Sequence, residues 1–85
     1  MRIRVDVLEW REVEDEVVAL DLRNNTYLAV NRTGAAIWPA LVSGADREEL
    51  VRRLTQTFDV SEEHAATDLD AFLAELAAQD LLEPA

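Results

Sequence analysis

Two short apolar segments separated by a pair of asparagines constrain this chain more than any other feature. Val17–Leu22 and Thr26–Val30 flank Arg23, Asn24 and Asn25. Asparagine tolerates the left-handed backbone conformation that tight turns require, so the segment reads as a β-hairpin. With Asn24 and Asn25 as the loop, Leu22 is expected opposite Tyr27 and Leu20 opposite Ala29. Val18, Leu20, Leu22, Tyr27 and Ala29 then share one face. The other face carries Val17, Ala19, Leu28 and Val30, with Asp21 as the exception. A sheet this small, apolar on both sides, calls for a cover on each.

The remaining elements follow from periodicity and punctuation. Residues 2–7 alternate Arg2, Arg4 and Asp6 with Ile3, Val5 and Val7, which predicts a half-buried first strand. The acidic stretch after it, Glu9 to Glu16 with Trp10 and Val13 as isolated apolar anchors, reads as a solvated connection. Beyond the hairpin the period changes to helical. Asn31 or Thr33 can cap a first helix carrying Ile37, Trp38, Leu41 and Val42, with Pro39 expected to shorten or kink it before Ser43-Gly44. Asp46 followed by Glu49 forms a capping-box-like start for a second helix with Leu50, Val51, Leu54 and Phe58 on one side. Ser61 caps a third helix of about 18–20 residues, with Glu62 and Glu63 at its positive end. Its apolar positions are Ala65, Ala66, Leu69, Phe72, Leu73, Leu76 and Ala77. The fold class is therefore α+β: a three-stranded antiparallel sheet followed by three helices, expected as one domain over residues 1–85.

Charge and composition narrow the function. The chain has 18 Asp and Glu against 8 Arg, no Lys, one His and no Cys, for a formal net charge of -10. Without Cys there is no disulfide framework and no thiol nucleophile. Two glycines, at 34 and 44, supply no phosphate-cradling loop. His64 and Asp68 have metal-ligand spacing on the third helix, but two ligands make an incomplete site and the pair reads as an exposed i,i+4 contact. No catalytic residue, metal or cofactor is assigned, and the chain is read as a non-enzyme. A winged helix-turn-helix arrangement could bind DNA, and a DNA-binding regulator is the alternative from a different class. Against it, Phe58 to Ala85 holds eight acidic residues and no Arg or Lys, so the helix that would enter a groove repels phosphate. No segment approaches the roughly 20 apolar residues of a membrane span, and Met1–Arg4 runs straight into alternating charge. Neither nucleic acid nor membrane is expected as a partner, and the cytoplasm is the expected compartment.

The informative feature is the edge of the sheet. If the first strand pairs with the far side of the second, then Thr26, Tyr27, Leu28, Ala29 and Val30 form an open edge strand without charge or proline. Natural proteins normally blunt such edges. One reading is a cover supplied by a helix or by a second copy through this strand. The other is strand addition by an extended peptide whose side chains enter adjoining pockets. The third helix supplies a second wall through Leu69, Phe72 and Leu76. Leu69 and Leu76 also suit plain core packing, while Phe72 and Ala65 lie toward one side of the stripe and suit a groove better.

The run Val18-Ala19-Leu20-Asp21-Leu22, then Tyr27-Leu28-Ala29-Val30-Asn31, Thr33-Gly34-Ala35 and Ile37-Trp38, resembles the PqqD-like recognition elements of ribosomally made, modified peptides (RiPPs). The likeness continues through Gly44, Leu50, Leu54, Phe58-Asp59-Val60, Asp68 and Phe72-Leu73. It is nearest to the small standalone forms of lasso-peptide biosynthesis; Pro39 departs from the pattern. The resemblance implies a winged-helix-like fold and a precursor leader bound as a fourth strand on Thr26–Val30, against a helix face that includes Asp68, Leu69, Phe72 and Leu76. It further implies a separate Cys protease that removes the leader and an ATP-dependent cyclase. The same recognition role for a peptide modified by a radical-SAM enzyme is the alternative within the fold.

Overall fold

The computed structural model of the chain describes residues 1–84. Its element order is a 3-10 turn at Val5–Val7, β1 (Leu8–Val13), β2 (Glu16–Asp21), β3 (Thr26–Val30), α1 (Arg32–Ser43), α2 (Arg47–Thr57) and α3 (Glu62–Ala78). The sheet is antiparallel in the order β1-β2-β3, so the α+β arrangement and its topology are as the pattern predicts.

The first strand lies elsewhere. The expected strand over residues 2–7 is not part of the sheet, and β1 occupies the acidic stretch that reads as a connection. The alternation at Ile3 is real but serves another partner. Ile3 is fully buried and bridges Leu82, while the Arg4 amide donates to Leu81 and the Glu83 amide donates to Arg2. The N-terminal segment is thus stitched to the C-terminal one. In β1, Leu8, Trp10 and Glu12 stand opposite Asp21, Ala19 and Val17. Glu9, Arg11 and Glu12 on an edge strand are compatible with pairing, because an edge strand has one flank in water. Glu14, with φ 56, makes the two-residue turn into β2.

The second hairpin also differs in register. Asp21 pairs with Thr26 and Leu20 with Tyr27, so the loop is four residues, Leu22–Asn25, rather than two. Side chains build this wider loop: Asp21 Oδ1 accepts from the Arg23 amide, Asn24 Oδ1 accepts from the Thr26 amide, and Asn25 takes φ 56. A shift of two residues preserves side-chain parity, so the faces come out as expected. Val17, Ala19, Leu28 and Val30 are buried, whereas Val18, Tyr27 and Ala29 are exposed. Only one face is covered.

That cover comes from three capped helices. Asn31, Asp46 and Ser61 each accept from an amide three residues on. α1 runs through Pro39 to Ser43. Pro39 is exposed, on a side of the helix where water can reach the carbonyl left without its donor. Gly44 then stops the helix at φ 98, a conformation that glycine adopts without strain. The core gathers Ile37, Trp38 and Leu41 of α1, Leu50 and Leu54 of α2, and Leu69 and Leu76 of α3 against Val17, Ala19 and Val30. The Trp10 ring meets Trp38 edge-on, with centroids 6.0 Å apart and planes at 69°.

Asp21, the one buried charged residue among those described, is paired rather than stranded. Arg23 donates to both of its carboxylate oxygens, at 3.0 and 2.8 Å, and also reaches Asp80, which Arg4 contacts at 2.9 Å. The Arg23 hydrogen bonds hold the Asp21 carboxyl below its usual range, and Arg47 does the same for Asp70 across α2 and α3. Depressed folded-state values give stability that is fully present above the unfolded pKa near 4 and is lost as pH falls through the folded values. The melting temperature should therefore decline progressively below about pH 4. Asp21→Asn with Asp70→Asn should lower it at pH 7 and flatten that acid slope. An unchanged slope in a thermal melt series would show that these pairs do not carry it.

Candidate functional site

β1 and β3 pair only with β2, so each leaves one backbone edge open among the described residues. The two edges differ chemically. β1 carries Glu9, Arg11 and Glu12, whereas β3 reads Thr26-Tyr27-Leu28-Ala29-Val30 without a charge. A row of unpaired amides and carbonyls free of charged side chains is the better acceptor for another strand.

The chain turns directly from β3 into α1 through Asn31, whose side chain accepts from the Gly34 amide at 3.0 Å. This cap places Gly34 in the first helical turn, where β3 and α3 converge on it. A Cβ at position 34 would lie 2.5 Å from Val30 Cγ1 and 3.0 Å from two ring atoms of Phe72. The missing side chain is what lets the Phe72 ring settle against the start of α1. Between the two elements opens a cleft of about 260 Å³, lined by Asn31, Thr33 and Gly34 on one wall and by Asp68, Ala71, Phe72 and Glu75 on the other. Asp68, Phe72 and Glu75 recur at helical spacing on one face of α3, giving an aromatic centre between two carboxylates. A shallower hollow of about 460 Å³ continues round the end of β3, along Ala29, Val30, Asn31, Arg32 and Thr33.

The expected site residues separate by depth. Tyr27 is 71% exposed, and Thr26 and Ala29 are also exposed, while Leu28 and Val30 point into the core and offer the edge only their backbone. On α3, Phe72 is half-buried and Asp68 exposed, and both line the cleft. Ala65, Leu69 and Leu76 are at most 1% exposed. They sit in the core behind the helix face, because the stripe that packs α3 on α1 and α2 needs them there. The pattern passes over Asn31, Thr33, Gly34, Ala71 and Glu75. The available signals are a glycine in the first turn after a cap, and an acidic residue seven beyond Asp68. His64 and Asp68 form the exposed i,i+4 pair, at 3.1 Å. Among the described residues no group of three or more His, Asp or Glu side chains is placed to hold a metal ion.

The family model described as coenzyme PQQ synthesis protein D (PqqD) matches residues 16–82, from the start of β2 to the bridge at Leu82. The chain belongs to the PqqD family. Its fold superposes on that of TbiB1 in complex with the TbiA(beta) leader peptide, with a TM-score of 0.87 and 34% identity over 100% of this chain and 98% of that one. A lasso peptide synthetase B1 complexed with the leader peptide gives a TM-score of 0.81 and 25% identity, over 98% of this chain and 96% of that one. No curated protein matches the sequence. The likeness places this chain with the PqqD-like recognition elements of RiPP biosynthesis.

Gly34 is the sharpest test of this geometry. Gly34→Ala improves helix propensity by about 1 kcal/mol, yet it drives a methyl into Val30 and Phe72, and overpacking of that kind costs about 1–3 kcal/mol. The variant should be no more stable than the parent, and its Phe72 ring should shift in a heteronuclear NMR spectrum. A stabilised variant with unmoved Phe72 resonances would contradict the close approach.

Proposed function

We propose that this chain is a non-catalytic recognition protein for the leader of a ribosomally made precursor peptide, acting as one domain in the cytoplasm where the precursor is made. The leader adds as a fourth strand to Thr26–Val30 and reaches the adjoining cleft between the start of α1 and α3. The carrying observation is the convergence of the uncharged open edge and the Phe72 wall on Gly34, in a chain similar to two proteins solved with leader peptides.

The division of labour follows from the chemistry. Backbone groups of β3 supply affinity with little dependence on leader sequence. Selectivity comes from the cleft, where Phe72 and Ala71 accept an apolar side chain. Asp68 and Glu75 favour basic groups on the peptide and disfavour acidic ones. Leu69, Leu76 and Ala65 act from behind by fixing the height and rotation of α3. The bound leader is then delivered to a separate Cys protease, with a cyclase closing the ring of the released peptide, which is the lasso route. Recognition for a radical-SAM enzyme would use the same groove, and no feature of the site favours it.

A fluorescently labelled leader from the same gene neighbourhood, titrated with the protein, should give saturable binding with a Kd below tens of micromolar, roughly -6 to -8 kcal/mol. Phe72→Ala should weaken it by about tenfold, in keeping with loss of an aromatic anchor, while the circular dichroism spectrum stays the same. Absence of saturation with the parent protein, or full affinity in a folded Phe72→Ala variant, would refute the assignment.

A further inference from the structure

Three hollows meet round the start of α1. The cleft between the start of α1 and α3 shares Asn31 and Thr33 with the shallow hollow at the end of β3. That hollow shares Glu16 and Arg32 with a groove of about 240 Å³ that the leader site does not use. Arg32, Ala35, Ala36 and Pro39 line this groove and recur at helical spacing, on the flank of α1 opposite to Thr33 and Gly34. Phe58, the residue that ends α2, adds an aromatic ring to the lining. Along the far side, Glu12, Glu14, Asp15 and Glu16 of the β1–β2 hairpin supply four exposed carboxylates.

We propose that this groove is a second subsite for the leader, taking an arginine or lysine side chain from the stretch of peptide that runs on past the Val30 end of β3. The proposal rests on the leader-binding reading and carries the path of the peptide from one flank of α1 to the other. Continuity is the first reason. A strand paired along Thr26–Val30 has one end beside Val30, where the shallow hollow opens, and Glu16 and Arg32 lead from that hollow into the groove.

The second reason is that the groove already holds a guanidinium of its own chain. The Arg32 guanidinium carbon lies 5.6 Å from the centroid of the Phe58 ring, and its Nε lies 3.8 Å from Asp15 Oδ2. A cation between a ring face and a carboxylate is thus the chemistry this place accepts. One arginine meets four carboxylates there, so an excess of negative charge is left for a cation from outside. The Arg32 side chain is 69% exposed, and an exposed pair of this kind is weakly held. It can turn toward water and yield the Phe58 ring to the peptide. Two acidic sites in series, first Asp68 with Glu75 and then the β1–β2 hairpin, read basic groups along one leader.

Glu12→Lys with Glu16→Lys tests the charge of the groove, and Ala36→Gln fills it without altering charge. The first variant should bind the labelled full-length leader about fivefold to tenfold more weakly at low salt, with a difference that shrinks as salt rises. The second should weaken binding at every salt concentration. Glu48→Lys with Glu62→Lys makes the same charge change on the α2–α3 side, away from the groove, and should leave affinity within about twofold. Leaders shortened stepwise from each end then locate the contact: from one end, the shortened peptide should bind the parent and the groove variants alike. Parent-level affinity for the full-length leader in the Glu12→Lys, Glu16→Lys and Ala36→Gln proteins, each folded by circular dichroism, would overturn the subsite while leaving strand addition intact. An equal loss in the Glu48→Lys, Glu62→Lys protein would overturn it as well, by showing that the peptide responds to net charge alone. A parent protein that binds no leader would remove the reading beneath the subsite, and the subsite with it.

Discussion

Three helices can shield one face of a three-stranded sheet, and in this chain they shield one face only. The first consequence is the core: Val17, Ala19, Leu28 and Val30 are buried beneath Ile37, Trp38, Leu50 and Leu69. The second is that α1 must start at once after β3, since Asn31 both ends the strand and caps the helix. That short link holds Gly34 against Val30 and brings the Phe72 ring onto the same spot. The cleft between the start of α1 and α3, the uncharged open edge of β3 and the outer face without a helical cover all follow from how little cover the chain provides.

The hairpin, its two faces, the three helix caps and the order of elements were legible because each rests on local chemistry. Asn31, Asp46 and Ser61 announce helices through hydrogen bonds to amides three residues away. What resisted reading depends on partners distant in sequence. Ile3 alternates like a sheet residue, yet its partner is Leu82. β1 hides among carboxylates because an edge strand in water tolerates them. The hairpin loop is four residues long because Asp21 is anchored by Arg23, and a period-two pattern cannot tell one register from another shifted by two.

The site was legible in its strand and less so in its helix. A charge-free edge strand is visible as sequence, and so is the aromatic at position 72. The depth of Ala65, Leu69 and Leu76 is decided by how α3 is rotated on its neighbours, which periodicity alone leaves open. Gly34 could be noticed as a glycine but not understood, because its importance is the 2.5 Å that would separate a methyl there from Val30. The acidic composition likewise changes meaning once it has a place. Asp68 and Glu75 flank the cleft, so part of the net negative charge lines that surface.

The central claim is that a peptide completes the sheet at β3. Backbone amide hydrogen exchange, measured residue by residue with and without saturating leader, addresses it directly. Added pairing should slow exchange at alternate amides of Thr26–Val30 while the β1 edge keeps its rates, because only one edge gains partners. Unchanged exchange along Thr26–Val30 in a protein saturated with leader would contradict strand addition, whatever the affinity.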